Sequence, residues 1–248
     1  MGAMAAAISF VPAAWRGAWA ALGLATVALA LWLMATSGGR MLLPAPVWLV
    51  LALAAMLVAR GALWRLVLAR PGRGPGGLQL AGVEGRLASV WVLSGVFLGM
   101  LLLLLFVAVL CVAYAAASAG RGFDASRVLT WAPALDGPGR MVLGAAAAAG
   151  AAGVAFAGAR ISLAEAASVA RGRVQVLSTW GLSRGAAWPI LAGAGCIAAP
   201  SVASFLLLPA GPTWRVAQAL VVAGLCLPMS VGLMAYVFAN RTARTPDR

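Results

Sequence analysis

The chain has 248 residues, 64% hydrophobic and 9% charged, where a soluble domain averages about 45–50% apolar and about 25% charged. A water-soluble fold of this length has too little interior to hide that much apolar surface, so composition excludes one and leaves a bilayer as the solvent. The net charge of +13 is carried by arginine alone and falls between apolar runs, the pattern of loops beside anionic headgroups, which argues against a nucleic-acid partner.

A membrane-crossing helix needs roughly 20 mostly apolar residues. The first such run covers about 17–36; it is long for a signal-peptide core, and no convincing small-x-small cleavage site follows it. Ser37-Gly38-Gly39-Arg40 predicts a tight turn into a second span, about 42–59, with Pro44 and Pro46 in its first turn, where a missing amide donor costs least. The pair reads as a helical hairpin. A basic segment with Arg60, Arg65 and Arg70 follows, and the Pro/Gly run 71–77 predicts a mobile loop. The third run, about 85–118, is longer than a bilayer core requires and should tilt or protrude.

Residues 120–140 form the most polar connection, with Asp124, Pro133, Asp136 and Pro138, before an alanine- and glycine-rich fourth span at about 141–159. Residues 160–187 are only moderately apolar and read as an interfacial helix pair or helix–turn–helix. The fifth span covers about 188–208 and the sixth about 216–239, joined by Pro209-Ala210-Gly211-Pro212. The expected fold is therefore all-α: a single polytopic bundle of six spans over 1–248, with a cytoplasmic interfacial segment between spans four and five.

With the N-terminus inside, the inner segments collect Arg16, then Arg60, Arg65, Arg70, Arg73 and Arg86, then Arg160, Arg171, Arg173 and Arg184, then Arg241, Arg244 and Arg248. The outer loops hold only Arg40, Arg121, Arg127, Arg140 and Arg215. This excess predicts an inner (plasma) membrane protein with both termini cytoplasmic. Trp15, Trp19, Trp32, Trp48, Trp64, Trp91, Trp188 and Trp214 fall near span ends, as an interfacial aromatic belt would. The short R-G-A-W echoes at Arg16, Arg60 and Arg184 read as chance in a chain of this composition, the alternative being a duplicated three-helix unit.

No predicted span carries a charge near its middle, which argues against proton relays, voltage sensors and carboxylate-ringed pores. The absence of histidine removes the usual base of a serine protease and the usual haem ligand. Cys111, Cys196 and Cys226 lie in apolar runs without ligand spacing, so no metal or other cofactor is expected, and no catalytic residue is nominated. Gly95-x-x-x-Gly99, with Gly144, Gly150, Gly153 and Gly158, predicts close helix packing inside the bundle, with a homodimer as the second use of such a face. Pro200 and Pro228 should kink spans five and six, with Ser201, Ser204 and Ser230 beside them as a candidate substrate path.

The stretch from Arg173 through Ser178-Thr179-Trp180-Gly181-Leu182-Ser183-Arg184-Gly185 to Trp188 resembles a signature of bacterial six-helix inner-membrane proteins. These are related to the membrane domain attached to some glycerophosphodiester phosphodiesterases. The segment from Gly76-Gly77-Leu78-Gln79-Leu80 to Glu84-x-Arg86-Leu87 is similar to the same group. The resemblance implies a six-helix bundle without the phosphodiesterase catalytic domain. Glu165-Ala166-Ala167 followed by Gly172 is similar to the coupling loop of importer permeases that dock on an ATPase, with the glycine one position late. The expected role is that of a non-enzymatic accessory or scaffold protein. Arg171, Arg173, Arg184, Trp180 and Trp188 would contact anionic lipid or a protein partner at the cytoplasmic face; the alternative is a transporter or the permease subunit of one.

Overall fold

A chain this apolar satisfies its backbone inside a membrane by forming helices, and most of the residues that a computed structural model describes, 2–37, 43–69, 74–80, 82–118, 131, 135, 137–207 and 211–243, are helical. Among them there is no strand. In order come α1 (Ala3–Thr36), α2 (Ala45–Val67), a 3-10 turn (Pro75–Gly77), α3 (Gly82–Ala117), α4 (Gly137–Ile161), α5 (Ala164–Arg171), a 3-10 turn (Leu177–Trp180), α6 (Ala187–Leu207), α7 (Pro212–Ala219), a π-helical segment (Leu220–Cys226) and α8 (Leu227–Thr242). Among the described residues six helical stretches are long and apolar enough to cross a membrane, which makes the chain a multi-pass, all-α membrane protein. Arg40, Arg70, Arg73, Arg121, Asp124, Arg127, Pro133, Asp136, Pro209, Arg244 and Arg248 lie outside the described residues, as does the Gly38-Gly39-Arg40 turn.

Two compact units emerge. The larger comprises residues 1–91 and 160–248, the smaller 92–159. In the larger, α1 is the organising helix, packing on α2, on α7 and the π segment, and on α8. Its buried face is built from Ala7, Ala14, Ala18, Ala21, Ala25 and Ala28, a seven-residue repeat with four–three interleaving. Small side chains on that seam let backbones approach closely, the main source of attraction where the surroundings are as apolar as the interior. Helix α1 begins at Ala3, well before the span expected from about residue 17, and departs from helical geometry at Ala18. There Gly77 approaches so closely that an added Cβ would sit 3.0 Å from the Ala18 Cα, and its φ of +84° is one that glycine adopts without strain. Residues 74–77, the described part of the 71–77 run expected to be a mobile loop, are thus seated on α1 and α2 at a buried glycine.

The two expected proline sites differ in setting. Pro200 lies within α6, whereas Pro228 stands in the first turn of α8, directly after the π segment. Lacking an N–H, Pro228 cannot donate to the Gly224 carbonyl one turn earlier. The indole Nε1–H of Trp15 on α1 donates to that carbonyl at 2.9 Å. A Cβ on Gly224 would lie 2.8 Å from the same indole ring, so the glycine is what admits it.

In the smaller unit, Gly150 provides close packing: a side chain there would collide with Leu105. The Gly95/Gly99 face does not pack as expected, since a Cβ at either position meets nothing within 4 Å among the described residues. Large apolar groups on α3 such as Met100, Leu103, Leu104 and Phe106 stand more than half exposed, as lipid-facing side chains do.

Trp15→Phe should leave the Gly224 carbonyl without its donor and lower unfolding stability in detergent by about 1–2 kcal/mol. In a Pro228→Ala background, where the amide can serve that carbonyl, the same substitution should cost distinctly less. Thermal or denaturant unfolding of the four proteins measures the difference.

Candidate functional site

Charge in an apolar medium must be neutralised within the fold, and the described residues contain two carboxylates, Glu84 and Glu165. Both are buried at the arginine-rich ends of the helices. Glu165, in the first turn of α5, accepts three hydrogen bonds: from Arg60 Nε at 2.6 Å, from Trp64 Nε1 at 3.0 Å and from Trp91 Nε1 at 2.8 Å. Arg60 and Trp64 are one turn apart and so project from the same face of α2, while Trp91 comes from α3. The Arg60 guanidinium also stands 6.0 Å from the Trp91 ring centre, at the limit of a cation–π contact. One side chain therefore joins three helices.

Glu84, near the start of α3, pairs with Arg65 of α2, and both side chains are almost wholly buried. The Arg65 guanidinium further donates to the Gln79 carbonyl at 3.5 Å, a long bond. Gly61 makes this ion pair possible, since any side chain there would collide with the Glu84 carboxylate. Trp64, expected in the interfacial belt, is instead fully buried, its N–H spent on Glu165.

The 160–187 segment, expected to be an interfacial helix pair or helix–turn–helix, contains one short helix followed by one 3-10 turn. Gly172 ends α5 in the left-handed conformation (φ +70°). The chain then folds back: the Gln175 N–H donates to Ser168 Oγ at 2.8 Å, and Arg171 donates to the Gln175 side-chain oxygen at 2.9 Å. Thr179 and Ser183 are buried and bond to carbonyls three residues earlier. The Arg160 guanidinium lies over the Trp180 ring at 4.9 Å. The fixed segment exposes Arg171, Arg173 and Arg184 together with Leu177, Trp180 and Trp188, the last 75% exposed. All five nominated contact residues are therefore accessible on one continuous stretch of chain.

The candidate substrate path is only partly assembled. Helices α2 and α6 both pack on α8, and between them lies a groove of about 300 Å³ that includes Ser201 and Ser230 in its lining. Ser204 is buried elsewhere. Its hydroxyl donates to the Ser201 carbonyl at 2.7 Å, and its own carbonyl accepts from Gln218 of α7 at 3.0 Å. The Ser230 hydroxyl likewise donates to Leu227 O within its own helix, at 2.7 Å. Neither proline lines the groove. Among the described residues no group of three or more His, Cys, Asp or Glu side chains is placed to hold a metal ion, and the three cysteines are free.

The Glu165 cluster was missed in sequence. Its signal was available in the pairing of Arg60 with Trp64 at helical spacing and in the scarcity of acids, which leaves each carboxylate near a helix end as the natural counter-ion of a nearby arginine. The chain matches no protein-family model, no curated protein and no solved structure.

Glu165→Gln should strand the Arg60 cation in a mostly buried position and cost on the order of 2–4 kcal/mol, accompanied by a change in tryptophan emission as two indoles lose a charged acceptor. At the second pair, Arg65→Met and Glu84→Met should each destabilise strongly, while the double variant recovers much of the loss. Equal, additive losses would show that the two side chains are not energetically coupled.

Proposed function

We propose that this chain is a non-enzymatic accessory or scaffold protein of the bacterial inner membrane that holds anionic lipid, or a partner presenting acidic groups, against its 171–188 segment. The distribution of arginines supports a cytoplasmic position for both termini. The observation that carries the reading is the division of labour in that segment. Ser168, Gln175, Thr179, Ser183 and Arg160 fix its conformation, and Arg173, Arg184, Leu177 and Trp188 are left exposed. Guanidinium groups interleaved with tryptophan and leucine match a headgroup layer, where cations meet phosphate and aromatic rings sit between water and chains. The engagement of Glu84 and Glu165 with arginines supports a structural use of the described carboxylates over a catalytic one. The likeness to six-helix inner-membrane proteins, carried by residues in this same segment, agrees with the reading.

A second reading, a transporter or the permease subunit of an ATP-driven one, draws on the groove beside α6 and α8. The importer-like docking role for Glu165 is the weaker part of it, because both carboxylate oxygens are engaged inside the chain. Solute uptake by reconstituted protein, alone or with a copurifying ATPase, would favour this reading.

Replacing Arg171, Arg173 and Arg184 together by glutamine should reduce the anionic lipid retained through purification, at about 1 kcal/mol per arginine and therefore on the order of a hundredfold in affinity. Native mass spectrometry in mild detergent reads this directly, and raised salt should weaken the wild-type capture. Retention by the triple variant equal to wild type would overturn the reading.

A further inference from the structure

The groove between α2 and α6 lies within the apolar stretches of the chain, and its polar atoms are largely spent. Ser230 donates back to Leu227 O, and the Cys226 thiol donates to Ile197 O at 3.1 Å. Ser201 contributes a hydroxyl without a partner among the described residues. The remaining wall is apolar: Met56 on α2, Ala194, Ile197 and Ala198 on α6, and Leu233 and Met234 on the floor. A hydrated ion or sugar would find too few partners here, whereas a hydrocarbon chain needs none.

The groove has one charged member. Arg60 lines it while donating only its Nε–H to Glu165, so its terminal amino groups have no partner among the described residues. Arg60 lies near the end of α2, beyond Met56, and Ala194 is the nearest lining residue to the corresponding end of α6. The floor runs from Val222 to Met234, on the order of 15 Å at helical rise. A volume of about 300 Å³ is at the lower end for ligand sites, suited to one chain and not two.

We infer that this groove takes one acyl chain of an anionic phospholipid from the leaflet on the Arg60 side, with the lipid phosphate against the free amino groups of Arg60. The site is distinct from the 171–188 segment and does not depend on the role given to it. Guanidinium and phosphate pair through parallel N–H···O bonds, and the Arg60–Glu165 bond holds the guanidinium by its Nε, leaving that bidentate edge available. The unfilled space exists because Ala194 and Ala198 are small where α6 passes α2.

The experiment uses the full-length protein in nanodiscs doped with a phospholipid bearing a diazirine on one acyl chain, with cross-linked peptides mapped by mass spectrometry. Cross-links should concentrate on the peptides of α6 and α8 that line the groove. An unlabelled phosphatidylglycerol competitor should displace the probe about tenfold better than phosphatidylcholine, the worth of one charge-assisted contact. Ala198→Phe, which places a ring in the empty space and replaces no member of the Glu165 cluster, should abolish groove labelling and leave labelling of the exposed α3 residues 100–106 unchanged. Glutamine at 171, 173 and 184 should leave groove labelling intact, which separates this site from the interfacial one. Labelling spread evenly over lipid-facing helices, or groove labelling indifferent both to headgroup and to Ala198→Phe, would overturn the proposal. If Ala198→Phe fails to elute as a single folded species, headgroup competition on the wild-type protein decides alone.

Discussion

The Glu165 carboxylate is the interaction on which the arginine-rich end of the larger unit depends. An ionised carboxylate in an apolar interior is tolerated only when charge and hydrogen-bonding capacity are both met, and here Arg60 meets the first while Trp64 and Trp91 complete the second. Each donor comes with a geometric demand. Arg60 and Trp64 must share a face of α2, Trp91 must arrive from α3, and the first turn of α5 must lie between them. The second pair, Arg65 with Glu84, joins α2 and α3 again and can form because Gly61 has no side chain. Apolar packing in a membrane is weakly directional, since lipid is as good a neighbour as another helix. These two ionic contacts supply direction: they specify which helix ends meet.

Backbone satisfaction imposes the second constraint. Pro228 removes an amide from the ladder of the last span, and the chain accommodates the defect with a π-helical turn before it and an indole donor from α1. Gly224 admits the indole, and Gly232 lets α8 approach so near that a Cβ there would stand 3.1 Å from the Phe10 Cβ. The proline that weakens one helix locally thus fixes the position of another. The widened helix also contributes Val222 and Cys226 to the groove beside α6, in keeping with the frequent association of π segments with functional surfaces.

The two surfaces given functional roles differ in how they are made. The 171–188 segment is a polar scaffold with its apolar and cationic groups turned outward, held by short-range hydrogen bonds from Ser168, Thr179 and Ser183. The groove is the reverse: the Ser230 hydroxyl bonds back into its own helix and the Cys226 thiol bonds across to Ile197 of α6, so apolar surface, the Ser201 hydroxyl and one arginine remain. A headgroup layer suits the first and a hydrocarbon chain the second.

Membrane residence, helix class and the six apolar stretches are determined by the sequence itself, because bilayer thickness and the cost of unpaired backbone groups act on local runs of about 20 residues. The exposed arginines and the tryptophan of the 160–187 segment are legible for the same reason, since the local run that carries them is too polar to cross a bilayer. What the sequence could not show is which faces of the helices meet. In a soluble helix the polar face points away from the core, but in a membrane both faces are apolar, so the alanine seam of α1 at residues 7, 14, 21 and 28 is indistinguishable from the many other alanines around it. Nor does the sequence connect residues far apart in the chain: Trp64 reads as a belt residue, Gly95 and Gly99 read as a packing face, and Glu165 reads as part of a coupling loop that would dock on an ATPase. Only the tertiary structure brings Glu165 to Arg60 and Trp64, and Trp15 to the carbonyl freed by Pro228, because a buried charge or orphaned carbonyl needs a partner in space and its distance along the chain is immaterial.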